Sequence, residues 1–300
     1  MISILIPVFN YDITLLVEQI YKQAKTALIE FEILLADDAS TDEKTKNKNQ
    51  DVSKLEYVHV FSFQENRGRT FTRNFLAGKA KFATLLFLDA DVLPKDSSFL
   101  IRFLEHHNKA DLIFGGIVYT EEKPENNKIL RWKYGKHREA KSVEIRIKNP
   151  YISIISGAIF IQKDLFLSTN KEMKNLYGLD SVFVENLRKE KAKVLHIDNP
   201  VIHLGLETNS EFLQKTISAL DALIKLEKKS LVSLDYRPVQ KAYLKLESSK
   251  MRKIFIFLYK IFEKMIEKNL LSKNPSLFYF DLFKLNYYCK IKMNSDHDSI

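Results

Sequence analysis

The sequence predicts an α/β fold with a largely parallel central sheet in three layers, followed by a C-terminal helical extension. Three observations carry that prediction. Two apolar runs stop at acids: Phe31-Glu32-Ile33-Leu34-Leu35-Ala36-Asp37-Asp38 and Leu85-Leu86-Phe87-Leu88-Asp89-Ala90-Asp91. Strands buried on both faces read as such runs, and ligands of open α/β sheets gather at the carboxyl ends of the strands. Strand-like and helix-like stretches alternate through the first part of the chain, the pattern of right-handed βαβ crossovers. From residue 211 onward, Leu213, Ile217, Leu220 and Ile224 repeat at three- and four-residue spacing, which marks an amphipathic helix.

Taken in order, Ile2–Val8 is a short first strand that Pro7 can end, since proline donates nothing to a ladder. Phe9-Asn10-Tyr11-Asp12 is a turn. Residues 13–28 are a helix with Leu16, Ile20 and Ala24 on one face and Asp12 as its cap. After the Asp37-Asp38 strand, a polar helix opens with Ser40 or Thr41 as cap and Asp42 in its first turn. A third strand covers 55–62. The loop Glu65-Asn66-Arg67-Gly68-Arg69 leads to a helix at 70–80, and the acidic strand 85–89 follows. Asp96 and Ser97 begin a helix through His106, and 112–119 is another strand. Residues 121–149, charged and without a steady period, read as an insertion or mobile loop beside the site. A strand at 152–161 interrupted by Ser156-Gly157, a helix at 180–190 and a strand at 193–197 complete a first domain, 1–210. The remainder, 211–300, is the helical extension, with helices to Lys229 and across 239–247 and 250–271.

Composition excludes several classes. Cys289 is the only cysteine, so there is no internal disulfide framework and no thiolate-rich metal site. There is no Gly-x-x-x-x-Gly-Lys and no Gly-x-Gly-x-x-Gly, which argues against phosphate-loop NTPases and dinucleotide-binding dehydrogenases. The net charge is +9, and residues 241–300 hold twelve Lys or Arg against six Asp or Glu. No zinc-finger spacing or RNP-type aromatic motif accompanies that charge, so nucleic acid is not the expected partner. With no basic leader and no run of about 18 apolar residues, the expected location is the cytoplasm.

Each candidate site residue has a plainer rival reading. Asp89 and Asp91, delivered by an apolar strand, can direct one carboxylate to a ribose or water and the other to a cation; the rival is a solvated Asx turn. A second Asp-x-Asp, Asp296 and Asp298, sits in a polar tail and is given no function. Asp38 can accept from a base nitrogen, or the whole segment can be helix capping. Arg69 and Arg73, four apart, offer guanidinium forks to diphosphate oxygens, or form a solvated basic face. Asp180 is a base or a helix cap; His203 is a ligand or an ordinary turn residue. Trp132, with Tyr134, is a sugar-stacking lid or part of a surface insertion.

Together these segments resemble an inverting glycosyltransferase of family 2, the group with the nucleotide-sugar-binding GT-A fold. The resemblance runs from Ile4-Leu5-Ile6-Pro7-Val8-Phe9-Asn10 through Asp37-Asp38-Ala39-Ser40-Thr41-Asp42, Asn66-x-Gly68, Arg73-Asn74 and Phe87-Leu88-Asp89-Ala90-Asp91. It continues through Ser156-Gly157-Ala158-Ile159-Phe160 and Gly178 to Arg188, and closes at Ile202-His203-Leu204-Gly205. It implies that Pro7, Asp38, Asn66, Arg69, Arg73 and Asp89 line the donor, with Asp38 on the base and Asp89 near the ribose. It further implies that Asp91 ligates Mn2+ or Mg2+ on the diphosphate, His203 assists there, Asp180 is the catalytic base, and Gly157 and Trp132 lie on the acceptor side. The implied partners are a nucleotide sugar, chiefly a UDP-sugar, and a glycan or lipid-linked hydroxyl acceptor. Leu179 departs from the pattern, standing where the family has Glu.

Two alternatives stay open. A nucleotidyltransferase acting on sugar phosphates also uses acids and a divalent ion, but normally has a glycine-rich, lysine-bearing first loop. A non-catalytic nucleotide-sugar-binding protein would keep Asp38 and lose Asp180. In the tail, Ile254, Leu258, Ile261, Phe262 and Met265 share one helical face and Lys253, Lys260, Lys264 and Lys268 another. That face either lies on an anionic membrane, with residues 250–290 holding the enzyme at the inner surface of the cell membrane, or packs against the catalytic domain or a second copy.

Overall fold

A computed structural model describes residues 1–170 and 178–297, which leaves Asp298 outside the described residues. The described chain forms two compact units: one takes 1–120, 138–170 and 183–205, the other 121–137, 178–182 and 206–297.

The first unit is built on ten strands: β1 (Ile2–Val8), β2 (Phe31–Asp37), β3 (Val58–Ser62), β4 (Thr84–Leu88), β5 (Val92–Pro94), β6 (Leu112–Phe114), β7 (Ile117–Val118), β8 (Ala158–Gln162), β9 (Val194–His196) and β10 (Val201–His203). Seven form one sheet in the order β3-β2-β1-β4-β8-β6-β9, in which only β8 runs against its neighbours. A second sheet has the order β5-β10-β7. In β4, Leu85, Leu86, Phe87 and Leu88 are all fully buried, each stabilising the fold by about 1.5–3 kcal/mol. A period-two strand would bury only half of them, which is why the continuous run identifies a central strand.

In chain order the helices are α1 (Thr14–Thr26), α2 (Glu43–Asp51), α3 (Arg69–Lys79) and α4 (Phe99–Leu104). Then come α5 (Ile129–Tyr134), α6 (Val143–Arg146), α7 (Lys163–Thr169) and α8 (Leu179–Lys189). The last four are α9 (Asn209–Lys228), α10 (Pro238–Ser248), α11 (Arg252–Leu270) and α12 (Leu277–His297).

Several local expectations are corrected. Pro7 lies inside β1 rather than ending it, paired with Ala36. The ladder to β4 stops at Leu5, so the missing N–H costs no bond there. The cap of α2 is Asp42, whose Oδ1 accepts from Lys44 N at 3.2 Å. Ser40 and Thr41 are tied instead to Asn10: Ser40 Oγ accepts from Asn10 N, and Thr41 N donates to Asn10 Oδ1. The strand expected at 112–119 is two strands in different sheets, broken at Gly115-Gly116, where Gly116 takes φ +104°. Residues 121–149 are not a loop: they hold α5, a π-helical turn (Gly135–Glu139) and α6.

The second unit has its own core of Leu130, Tyr259, Ile266, Leu270 and Phe280. A capping box opens α9: Thr208 Oγ1 accepts from Glu211 N, and Glu211 Oε2 accepts from Thr208 N at 2.9 Å. Within this unit the buried Glu227 carboxylate accepts from Gln240 Nε2 and Tyr288 Oη and meets Lys292 Nζ at 2.5 Å, so its charge is compensated. Burial first, and Glu227 second, push the Tyr288 hydroxyl far above its ordinary value. Among the described residues no helix is long and apolar enough to cross a membrane.

Candidate functional site

The carboxyl ends of β1, β2 and β4 lie side by side, because Val8 pairs with Asp37 and Leu5 with Phe87. The connections leave in opposite directions at this point of the strand order, the position at which open α/β sheets bind their ligands. Asp38, Asp89 and Asp91 are delivered to that position.

Asp38 is 5% exposed and organises the loop opposite it. Its Oδ1 and Oδ2 accept from Arg67 N and Gly68 N, each at 2.8 Å, and Asn66 Nδ2 donates to its carbonyl. Gly68 takes φ +84°, which lets the chain turn sharply into α3. Both carboxylate oxygens thus already hold one backbone donor, leaving their second lone pairs for a ligand.

Arg69 and Arg73 stand one turn apart on α3, as their spacing predicts, but both meet Asp89. Arg69 Nη2 donates to Asp89 Oδ2, and Arg73 Nη2 to Asp89 Oδ1 at 2.7 Å. Arg73 is buried, donates also to the Ser156 carbonyl, and lies 5.5 Å above the Phe87 ring. Burial by itself would raise the Asp89 carboxyl; the two guanidiniums outweigh it and hold the group below its ordinary value. The backbone is fixed as well, since Asp89 N donates to Gly157 O at 2.8 Å. Gly157, expected beside an acceptor, therefore supports Asp89.

Asp91 is placed differently. β10 pairs antiparallel with β5, His203 opposite Val92, and this brings His203 Nε2 to 3.4 Å from Asp91 Oδ2. Leu204 N donates to Asp91 O, and a Cβ on Gly205 would lie 2.1 Å from Asp91 Oδ2. Burial raises the Asp91 carboxyl; His203 opposes the rise and Asp89 reinforces it. The Tyr119 ring is 5.4 Å from that of His203. Tyr11, behind β1, has its hydroxyl raised by burial and then by Asp91. Sequence reasoning missed Tyr11, Tyr119 and the Gly205 clearance; a tyrosine in a turn gives no periodic signal.

One carboxylate and one imidazole form a mixed O/N donor pair that suits Mn2+ and, less well, Mg2+. Among the described residues no three His, Cys, Asp or Glu gather closely enough to hold a metal ion alone. An ion held by Asp91 and His203 would take its remaining ligands from water and a bound ligand's oxygens, and would favour the ionised form of the Asp91 carboxyl.

Asp180 and Trp132 fall in the second unit. Asp180 is exposed in the first turn of α8, where the helix dipole favours a carboxylate, and not at a cap. Leu179 beside it is buried. Trp132 is only 8% exposed within α5, with Lys136 Nζ 4.9 Å over its ring. The open stacking face expected of it is covered.

A family model described as Glycosyl transferase family 2 matches residues 3–166. No curated protein sequence matches the chain. Among solved structures, a mannosyltransferase from Pyrobaculum calidifontis, PcManGT, in complex with GDP-Man and Mn2+, superposes with a TM-score of 0.55 at 12% identity. That match covers 76% of this chain and 64% of the mannosyltransferase. TarS 1-349 of S. aureus in complex with UDP-GlcNAc gives 0.51 at 16% identity, covering 99% of this chain and 92% of that one. Glucosyl-3-phosphoglycerate synthase from Mycobacterium tuberculosis, with Mg2+ and UDP, gives 0.51 at 13% identity, covering 75% and 78%. At these identities the likeness is one of fold, that of GT-A glycosyltransferases.

Proposed function

The chain belongs to glycosyl transferase family 2, and from that premise we propose that it transfers a sugar, with inversion, from a UDP-sugar to a hydroxyl of a glycan or lipid-linked acceptor. The observation that carries this reading is the division of labour between Asp89 and Asp91. Asp89 is saturated by Arg69 and Arg73, whereas Asp91 has one imidazole beside it and a carboxyl raised by burial. Two acids two residues apart, pushed in opposite directions, are suited to different tasks.

Asp91 and His203 would hold a divalent cation together with diphosphate oxygens. When bound, such an ion neutralises charge building on the departing diphosphate. Asp38, held rigid by the Arg67 and Gly68 N–H groups, offers its remaining lone pairs to a donor on the base. Arg73 and Gly157 hold Asp89 toward the ribose, and Arg69, 41% exposed, stands at the rim. Asp180 takes the proton of the attacking hydroxyl, a role resting on the resemblance of its segment; deprotonation by one carboxylate suffices for a single inverting displacement. A cytoplasmic site of action fits the lone, buried cysteine.

Donor turnover measured across an Mn2+ titration tests the reading. Asp91→Ala should abolish the metal response. Equal turnover in wild type and variant would remove the metal role, and a thermal-shift preference for a guanine nucleotide over UDP would overturn the donor assignment.

A further inference from the structure

Helix α11 is apolar on two faces, and only one is covered. Phe255, Tyr259, Ile266 and Leu270 belong to the core cluster or pack against it. Ile254, Phe257, Leu258, Ile261, Phe262 and Met265 are 48–64% exposed. At 3.6 residues per turn these six fill roughly 140° of arc adjoining the packed side. Together they show roughly 600 Å2, at the top of the range for the largest apolar patch on a monomer. Exposed Lys253, Lys260, Lys264 and Lys268 border the open edge of this arc. Glu263 and Glu267 fall between the packed residues and that lysine edge, and Glu263 meets Lys290 of α12 at 3.3 Å.

We propose that this face of α11 lies in the plane of an anionic membrane surface. Within the second unit a different arc makes the core contacts, and none of those six side chains belongs to that core or packs on it. A second copy is disfavoured by charge: four lysines border the apolar arc against two carboxylates, one of them engaged by Lys290, so an isologous contact sets mostly like charge against like. A lipid surface offers both complements. Phe257 and Ile261 enter the acyl boundary, while the lysine stems run along the apolar arc and their ammonium groups reach the phosphates. The excess of six basic residues in 241–300 adds to the attraction, each lysine near the surface strengthening binding about fivefold. The inference is independent of the sugar-transfer reading.

Co-sedimentation of the full chain with vesicles of phosphatidylcholine alone, or mixed with phosphatidylglycerol, tests it with no donor or acceptor present. The bound fraction should be several-fold higher on the mixed vesicles and fall as salt screens the lysines. Phe257→Ser with Ile261→Ser should lower binding at least tenfold; Lys260→Gln with Lys264→Gln should lower it about 25-fold. All four side chains are exposed, and unchanged melting curves verify that the variants fold. No binding at low salt, equal binding to both vesicle types, or unaltered binding by both double variants overturns the proposal. So does a dimer that ignores vesicles and dissociates in the Phe257→Ser, Ile261→Ser protein, an outcome that assigns the face to a second copy.

Discussion

Replacing Gly205 by alanine puts a methyl group 2.1 Å from Asp91 Oδ2, 2.8 Å from its Cγ and 2.9 Å from its Cβ. Ordinary contact begins at 3.4 Å, so the carboxylate must retreat by about 1 Å or more. Gly205 is outside the left-handed region, and alanine therefore adds no backbone strain. Rotation can carry the 31%-exposed carboxylate away, but Asp91 Cβ at 2.9 Å moves only with the backbone, so the overpacking costs about 1–3 kcal/mol. For a chain of this size that shifts Tm by about 2–12 °C. Activity should suffer far more, since a misplacement of about 1 Å in a positioned group costs on the order of a hundredfold. Donor turnover over an Mn2+ titration, paired with a melt, is the assay: turnover drops about a hundredfold and half-saturation moves to higher Mn2+. In an Asp91→Gly background all three clashing atoms are gone, and adding Gly205→Ala should do little more. Unchanged turnover and Mn2+ dependence, or a full second loss in that background, refutes the claim that Gly205 acts by leaving room for Asp91.

Asp180→Asn should leave nucleotide affinity within about twofold and lower transfer about 10²–10⁴-fold, as calorimetry and a transfer assay would show; joint loss of both marks Asp180 as structural. Arg73→Met strips a cation from buried Asp89 and a donor from Ser156 O, and should cost about 3–5 kcal/mol in denaturant unfolding. Asp89, held below its ordinary value near 3.8, stabilises the fold fully above that value and loses the contribution as pH falls through its lowered one. The stability gap between wild type and Asp89→Asn, read from melting curves, should therefore be constant above about pH 4 and close as pH falls further, through the lowered value. Cys289 is buried and its thiol pushed up to about 11 by burial, so iodoacetamide should label it only in denaturant.

The sheet was legible because both-faces burial forces uninterrupted apolar runs, which β1, β2 and β4 have. The acids were legible because those runs end on them. Their partners were not: the four-residue spacing of Arg69 and Arg73 offers both to a diphosphate, and nothing in it announces that Asp89 claims them. The pairing depends on where α3 sits above β4, which is tertiary geometry. Short strands were blurred, since two or three residues of β6 and β7 carry no period and only Gly115-Gly116 marks their break. Helix α12 escaped for the opposite reason. Its aromatic and aliphatic residues from Leu277 to Cys289 surround the axis, leaving no polar face for a period to reveal. In α11 the exposed arc was identified and its neighbour missed, because Phe255, Tyr259, Ile266 and Leu270 simply widen the same stripe.

The bond from Arg73 to the Ser156 carbonyl spans 83 residues, and β4 likewise waits for β8. On a ribosome adding about 5–20 residues per second, Arg73 precedes its carbonyl by roughly 4–17 s. β1 to β4 have all their mutual ladders available during that interval, so the sheet can form first. Asp89 gains its Gly157 anchor, and Asp91 its histidine, only as the chain nears residue 205. Contacts of such long range slow the final step of folding relative to the local βα units. A nascent chain stalled before residue 156 would therefore show native-like secondary structure while its loose Asp89–Asp91 loop exchanged amide protons rapidly with water.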